Sequence, residues 1–162
     1  MGCAERAVSL EPTCGQAHKW YAIVLSQVGE FGSTSDKIKN SFRVREHFEL
    51  AVQHSPSDAT SRHLLGLWCF EVAKLSWIEK KAAAALFASP PTATYDEAIG
   101  HLLEAERMEP NFYPKNQLVL SQAYAKIGDK RSSKQWLQRC LAATPQTPED
   151  YETLKEAAKL NA

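Results

Sequence analysis

Ala105-Glu106-Arg107-Met108-Glu109-Pro110 decides the fold of this chain. A small side chain stands five residues before a proline, and no helix continues through that proline, because it lacks an N–H and crowds the preceding turn. Ala7-Val8-Ser9-Leu10-Glu11-Pro12 and Ala51-Val52-Gln53-His54-Ser55-Pro56 repeat the step, and Cys140 to Pro145 keeps its length. Four equivalent helix ends in one chain imply an internal repeat.

The residues upstream repeat as well. Tyr21-Ala22, Leu65-Gly66 and Leu120-Ser121 supply a large-then-small pair where two helices cross closely, and Leu25, Cys69 and Tyr124 follow three residues beyond the small one. Gly29-Glu30-Phe31 and Gly128-Asp129 mark turns between helices, and Phe48, Leu102 and Leu137 take the aromatic or aliphatic place of the second helix. This is the tetratricopeptide pattern, helix pairs of about 34 residues that bury their faces only by stacking. There is no sustained alternation and no Asn-Gly or Asp-Gly turn, so strands are not expected. The fold class read from the chain is all-α, a tetratricopeptide-like helical-repeat superhelix.

Nine helices are expected, over 3–10, 14–28, 36–54, 58–73, 77–88, 95–109, 112–127, 130–143 and 148–160. Thr13 to Gln16, Ser76 to Glu79 and Thr94 to Glu97 have the capping-box form, in which a hydroxyl and a side chain three residues on satisfy each other's backbone N–H. Thr147-Pro148-Glu149-Asp150 is a weaker helix start, with proline at the first turn and acids at the positive end of the dipole.

The period is where the chain departs from the plain repeat. Pro110 to Pro145 spans 35 residues, Pro12 to Pro56 spans 44 and Pro56 to Pro110 spans 54. Insertions are therefore expected near 31–40 and 75–91, the second as a discrete helix within Leu75-Ser76-Trp77-Ile78-Glu79 to Pro90-Pro91. That helix would place Ile78, Ala82, Ala85 and Leu86 on one face, acting as a packing strut or as a lid on a groove. The stretch from Glu149 to Leu160, with one apolar stripe and a charged back, reads as a terminal capping helix. One domain over 1–162 is expected, beginning in mid-helix as a fragment without the natural N-terminus.

The 19 basic and 19 acidic residues cancel, so no global field draws the chain to nucleic acid or lipid, and a local patch must serve any charged partner. Cys3, Cys14, Cys69 and Cys140 are scattered, which reads as reduced thiols in the cytoplasm. No apolar run is long enough to span a bilayer.

The five histidines show no metal-ligand spacing, and there is no nucleophile elbow or phosphate-cradling loop. His101 with Glu97 and Glu104 reads as a solvated cluster. The chain is read as a non-enzyme without catalytic residues, metal or cofactor. In the repeat register, Lys19, Ile23, His63, Leu67, Phe70, Lys115, Leu118 and Gln122 line the concave groove, with Trp77 of the insertion beside it. A chaperone carboxylate clamp is not expected, since Ile23 and Leu64 stand where asparagines are needed. Two basic patches are candidate landing surfaces for an acidic polymer or anionic head groups: Lys37, Lys39, Arg43 and Arg45, and Lys126, Lys130, Arg131, Lys134 and Arg139.

His18-Lys19-Trp20-Tyr21-Ala22, Arg45-Glu46-His47-Phe48-Glu49 and His63-Leu64-Leu65-Gly66-Leu67-Trp68-Cys69-Phe70 resemble the regulator of microtubule dynamics family. The likeness runs on through Leu75 to Lys81, Pro90-Pro91, Tyr95, Asn111-Phe112-Tyr113 and Lys115-Asn116. It covers nearly the whole chain and is nearest in texture to the short members that lack a membrane anchor. The resemblance implies a tetratricopeptide-like domain associated with microtubules and the spindle. An anchored relative is linked to endoplasmic reticulum–mitochondria contacts and phospholipid. The leading expectation is a microtubule-associated scaffold. The alternatives are a phospholipid-binding or lipid-transfer module and a generic peptide-binding adaptor.

Overall fold

The computed structural model describes residues 2–29, 33–86 and 91–161, with the side chains of 34, 35, 77–79, 82 and 86 outside that description. In three of the four proline-ended tails the cause of the five-residue step is visible. The residue before the proline makes the last helical bond back to the small residue. Glu11 N–H donates to the Ala7 carbonyl at 3.1 Å, Ser55 to Ala51 at 2.9 Å and Glu109 to Ala105 at 3.1 Å. The chain then turns about the proline, and the N–H of Cys14, Asp58 and Phe112 returns to the carbonyl of Glu11, Ser55 and Glu109. Proline's fixed φ suits the second position of such a turn. The fourth tail closes differently, with Ala143 N–H on the Cys140 carbonyl.

The elements are α1 (Gly2–Leu10), α2 (Gly15–Gly29), α3 (Thr34–His54), α4 (Ala59–Lys74), α5 (Trp77–Leu86), α6 (Tyr95–Met108), α7 (Pro114–Lys126), α8 (Lys130–Leu141) and α9 (Pro148–Asn161). Their ends fall within two residues of the sequence expectation, residues 87 and 88 of the fifth lying outside the described ones. Helices α2 and α3, α4 and α6, and α7 and α8 pack as pairs. The pairs stack through α3 on α4 and α6 on α7, α1 leans on α2, and α9 caps the stack on α7 and α8. The architecture is an all-α tetratricopeptide-like superhelix.

The repeat residues form its core. Tyr21, Ala22, Leu65, Gly66, Leu120 and Ser121 are all buried, as are Phe48, Leu102 and Leu137 of the second helices. At Gly66 an added Cβ would stand 2.8 Å from Leu102 Cγ and 3.2 Å from the Ala98 carbonyl, so α4 and α6 meet there almost backbone to backbone. Buried Cys69 and Cys140 are packing residues, their thiols pushed up to about 11 by burial.

Local signals set the ends. Thr94 and Glu97 close the expected box on α6. Thr147 and Asp150 close another on α9, each side chain accepting the other's backbone N–H at 3.2 and 2.9 Å. Ser33 and Asp36 form an unforeseen box on α3. The expected box at Thr13 and Gln16 does not form. Helix α2 begins at Gly15, which puts Gln16 too early to reach back. Thr13 instead donates to Glu11 Oε1 at 2.6 Å, and Gln16 donates to Asp58 Oδ2 at 3.2 Å. At α5, Ser76 precedes the helix and its carbonyl accepts the Lys80 N–H, while the side chain of Glu79 lies outside the described residues. So do Glu30 and Phe31 of the expected first turn, and Pro90.

The two insertions take different forms. The first lengthens a helix: α3 has 21 residues, against 14 in α6 and 12 in α8. The second is the separate helix α5, which packs on α3 with Ala83 buried. Ala85, expected on the packed face, is exposed, and the other three expected face residues have side chains outside the description.

Candidate functional site

Two hollows take in residues of the expected groove. One, of about 340 Å³, is lined by Ile23, Thr60, His63, Leu64, Leu67, Phe112, Tyr113, Lys115 and Glu149. Four expected groove residues, Ile23, His63, Leu67 and Lys115, meet there. The other, of about 390 Å³, includes Phe70 and Gln122 beside Lys74, Lys126, Leu137 and Leu160.

Several groove residues are engaged by the fold. Lys19 Nζ lies 2.8 Å from Asp58 Oδ2, with side chains 11% and 17% exposed. Asp58 also caps α4 by accepting the Thr60 N–H and the Ser61 hydroxyl. Leu118 is fully buried against Leu137, Cys140 and Ala157 and presents no surface. Lys115 and Gln122 donate to Glu156 of the capping helix at 3.1 and 2.9 Å. The side chain of Trp77 lies outside the described residues.

His63 belongs to a buried polar network that the sequence did not reveal. Its Nδ1 lies 2.9 Å from Asn116 Oδ1, while Asn116 Nδ2 donates to the Leu102 carbonyl at 3.1 Å and to Glu106 Oε2 at 3.3 Å. Asn116 Oδ1 can only accept, so the His63 proton sits on Nδ1. Burial pushes His63 down to about 4. Glu106 also accepts the Asn111 N–H at 2.9 Å and Gln117 Nε2 at 3.3 Å. The signal that could have exposed this was Asn116-Gln117 at positions where the first helix of a repeat faces its neighbours.

The network reaches into the second basic patch. Arg139 Nη2 lies 3.6 Å from Glu106 Oε1, and its guanidinium covers the Trp136 ring at 4.6 Å. In the first patch, Arg45 pairs with Glu49 at 2.8 Å, donates to the Thr92 carbonyl at 3.0 Å and covers Trp68 at 5.2 Å. Arg43 donates to the Tyr21 hydroxyl. Lys37 and Lys39 stand exposed at the start of α3. Lys126, Lys130, Arg131 and Lys134 stand exposed around the α7–α8 turn, and among the described residues none of these four forms an ion pair. Their neighbour Asp129 is the cap of α8, held below the usual carboxylate range by the backbone N–H and hydroxyl of Ser132. Gly128, at φ 86°, makes the turn that brings the four together.

His101 has no free acid beside it on its helix, since Glu97 closes the α6 cap and Glu104 holds Arg107 at 2.7 Å. Among the described residues no three of His, Cys, Asp and Glu gather as a metal-holding group, and no helix is long and apolar enough to cross a membrane.

Stacked helix pairs and a terminal cap define a helical-repeat protein of the tetratricopeptide class. MamA shares the fold at a TM-score of 0.63 and 12% identity, over 98% of this chain and 74% of that one. A thermophilic TPR protein of Thermus thermophilus does so at 0.63 and 20%, over 98% and 71%. Within that class the chain belongs to the family described as regulator of microtubule dynamics protein 1-3, whose model matches residues 1–162. It is 41% identical to regulator of microtubule dynamics protein 1 of Mus musculus over 157 residues, which are 97% of this chain and 52% of that protein. For the Homo sapiens protein the figures are 41%, 97% and 50%. Regulator of microtubule dynamics protein 3 of Xenopus laevis is 35% identical over 93% of this chain and 32% of its own length. The chain thus spans about half the length of the protein 1 relatives.

Proposed function

We propose that this chain is a non-catalytic scaffold segment that associates with cytoplasmic and spindle microtubules through the basic face at the α7–α8 turn. The observation that carries the reading is the exposed group Lys126, Lys130, Arg131 and Lys134, none of them ion-paired among the described residues. The whole chain is neutral, so attraction to an acidic polymer must come from such a patch and must weaken with salt. The names of the relatives support microtubules as that polymer. Lys37 and Lys39, on the elongated start of α3, form a second, smaller contact.

Reversing Lys130, Arg131 and Lys134 to glutamate is expected to lower co-sedimentation with microtubules by roughly tenfold or more, since each exposed charge pair contributes only modestly. The far-ultraviolet circular dichroism should stay unchanged. Unaltered pelleting of the triple variant contradicts the assignment.

A second reading is favoured by the 340 Å³ hollow, whose Ile23, Leu64 and Leu67 offer apolar contact to a few side chains of an extended peptide or to part of an acyl chain. Native mass spectrometry separates its two forms, because a phospholipid occupant adds a lipid-sized mass and a peptide site leaves the purified chain bare.

A further inference from the structure

A third cavity, of about 550 Å³, lies where the α6–α7 and α8–α9 loops meet and shares the Phe112 and Tyr113 walls with the 340 Å³ hollow. Gln117 and Asp150 line it together with Tyr113, Arg139 and Thr144. Both are more than nine-tenths buried, at 1% and 5% exposure, and each keeps one side-chain oxygen without a donor. Asp150 Oδ2 accepts the N–H groups of Gln146 and Thr147 at 2.9 Å each, leaving Oδ1 unpartnered. Gln117 donates through Nε2 to Glu106 and to Asn111, leaving Oε1 unpartnered. A buried acceptor without a donor is unfavourable, and buried polar groups are otherwise nearly always paired.

Charge narrows what could supply those donors. Asp150 is in the wall, Glu106 lies behind it and Glu149 stands in the adjoining hollow, where burial and this carboxylate push the Tyr113 hydroxyl above its ordinary range. Against these three carboxylates stand Arg139, already paired with Glu106 and laid over Trp136, and Lys115 of the adjoining hollow, already paired with Glu156. The field at the cavity therefore favours a cation that donates N–H bonds, and Phe112, Ala142 and Ala143 offer an apolar wall for a short aliphatic stem. We propose that this cavity binds a primary alkylammonium group, presented by a lysine side chain of a peptide or by a free alkylamine.

The test is a titration of the full chain followed by ¹H–¹⁵N correlation spectra. The probes are n-butylammonium, a blocked glycine-lysine-glycine peptide, and tetramethylammonium, which carries the charge without an N–H. Saturable shifts are expected at the Gln146 and Thr147 amides and the Gln117 side-chain amide with at least one of the first two, and whichever binds tighter identifies the source. Asp150→Asn should abolish them. Thr144→Trp, which fills the mouth of the cavity from an exposed loop position, should abolish them too if the first variant folds poorly. Equal shifts with tetramethylammonium, no saturation with either amine, or shifts that survive both variants overturn the proposal.

Discussion

His63 is the residue whose protonation the fold tolerates least. Its folded value of about 4 lies below the ordinary 6.5, so at pH 7 it is neutral in both folded and unfolded chains and stability does not depend on its titration. Between pH 6.5 and 4 the unfolded chain takes up a proton that the folded core refuses. Stability is then lost by about 3 kcal/mol in full, levelling off below pH 4. Burial lowers His47 and His101 in the same sense. Urea unfolding should show a midpoint that falls from pH 7 to 4.5, and His63→Phe should flatten part of that slope. At pH 7 that variant should lose about 1–3 kcal/mol, because Asn116 Oδ1 is left unpaired. An unchanged slope would remove His63 from this role. Two glycines give a sharper contrast. Gly66→Ala forces a methyl to within 2.8 Å of the fully buried Leu102 and should destabilise by about 1–3 kcal/mol. Gly100→Ala meets nothing within 4 Å on an exposed turn of α6 and should stabilise by up to about 1 kcal/mol. Thermal melts of the pair check both signs. The Gly66 site was legible, since a small residue after a large one recurs in register at Ala22, Gly66 and Ser121. The Asn116–Glu106–Arg139 network was not, because two amides in a polar helix look solvated until a second helix is laid across them.

Helix limits were legible because their causes are local: a proline, a hydroxyl three residues before an acid, a small residue five before the stop. Where a limit shifted, a local geometry outweighed composition. Helix α7 starts at Pro114 because Asn111 takes a positive φ of 60° and the loop runs through Phe112 and Tyr113. What the sequence could not show was which side chains the stacking of repeats would consume. Lys19 read as a groove cation and Asp58 as an ordinary helix start, yet they lie 39 positions apart and form one partly buried pair at 2.8 Å. Asp58→Ala should therefore cost more than a lost cap. About 1 kcal/mol comes from the cap, and a comparable or larger amount comes from a lysine left buried without its partner. The double variant Asp58→Ala with Lys19→Met should recover part of the loss in a denaturation cycle, and strict additivity would deny the coupling. Arg45 and Arg139 teach the same lesson from the basic patches, since both turned out to be held by carboxylates and tryptophan rings.

Across the whole molecule, opposite charges cancel in number but not in place. The acids Asp36, Asp58, Asp129 and Asp150 cap helices, and Glu106 and Glu156 tie repeats together. The lysines and Arg131 at the α7–α8 turn have no such duty, and this leaves a neutral chain with a cationic face. The fold class and the family were both readable from 162 residues, because the repeat and its two interruptions travel together. The candidate surface was readable only as two runs of basic residues, and tertiary contacts then divided them into the engaged Arg43, Arg45 and Arg139 and the exposed lysines with Arg131. The most direct test of that division is a salt titration of microtubule co-sedimentation with the full chain beside its Lys130→Glu, Arg131→Glu, Lys134→Glu variant. Binding carried by the exposed face should weaken steeply from low to physiological salt, and the variant should show weak binding with little salt dependence. Binding that holds constant with salt and is equal in both chains would contradict the account and move the contact to the apolar hollow at Ile23, Leu64 and Leu67.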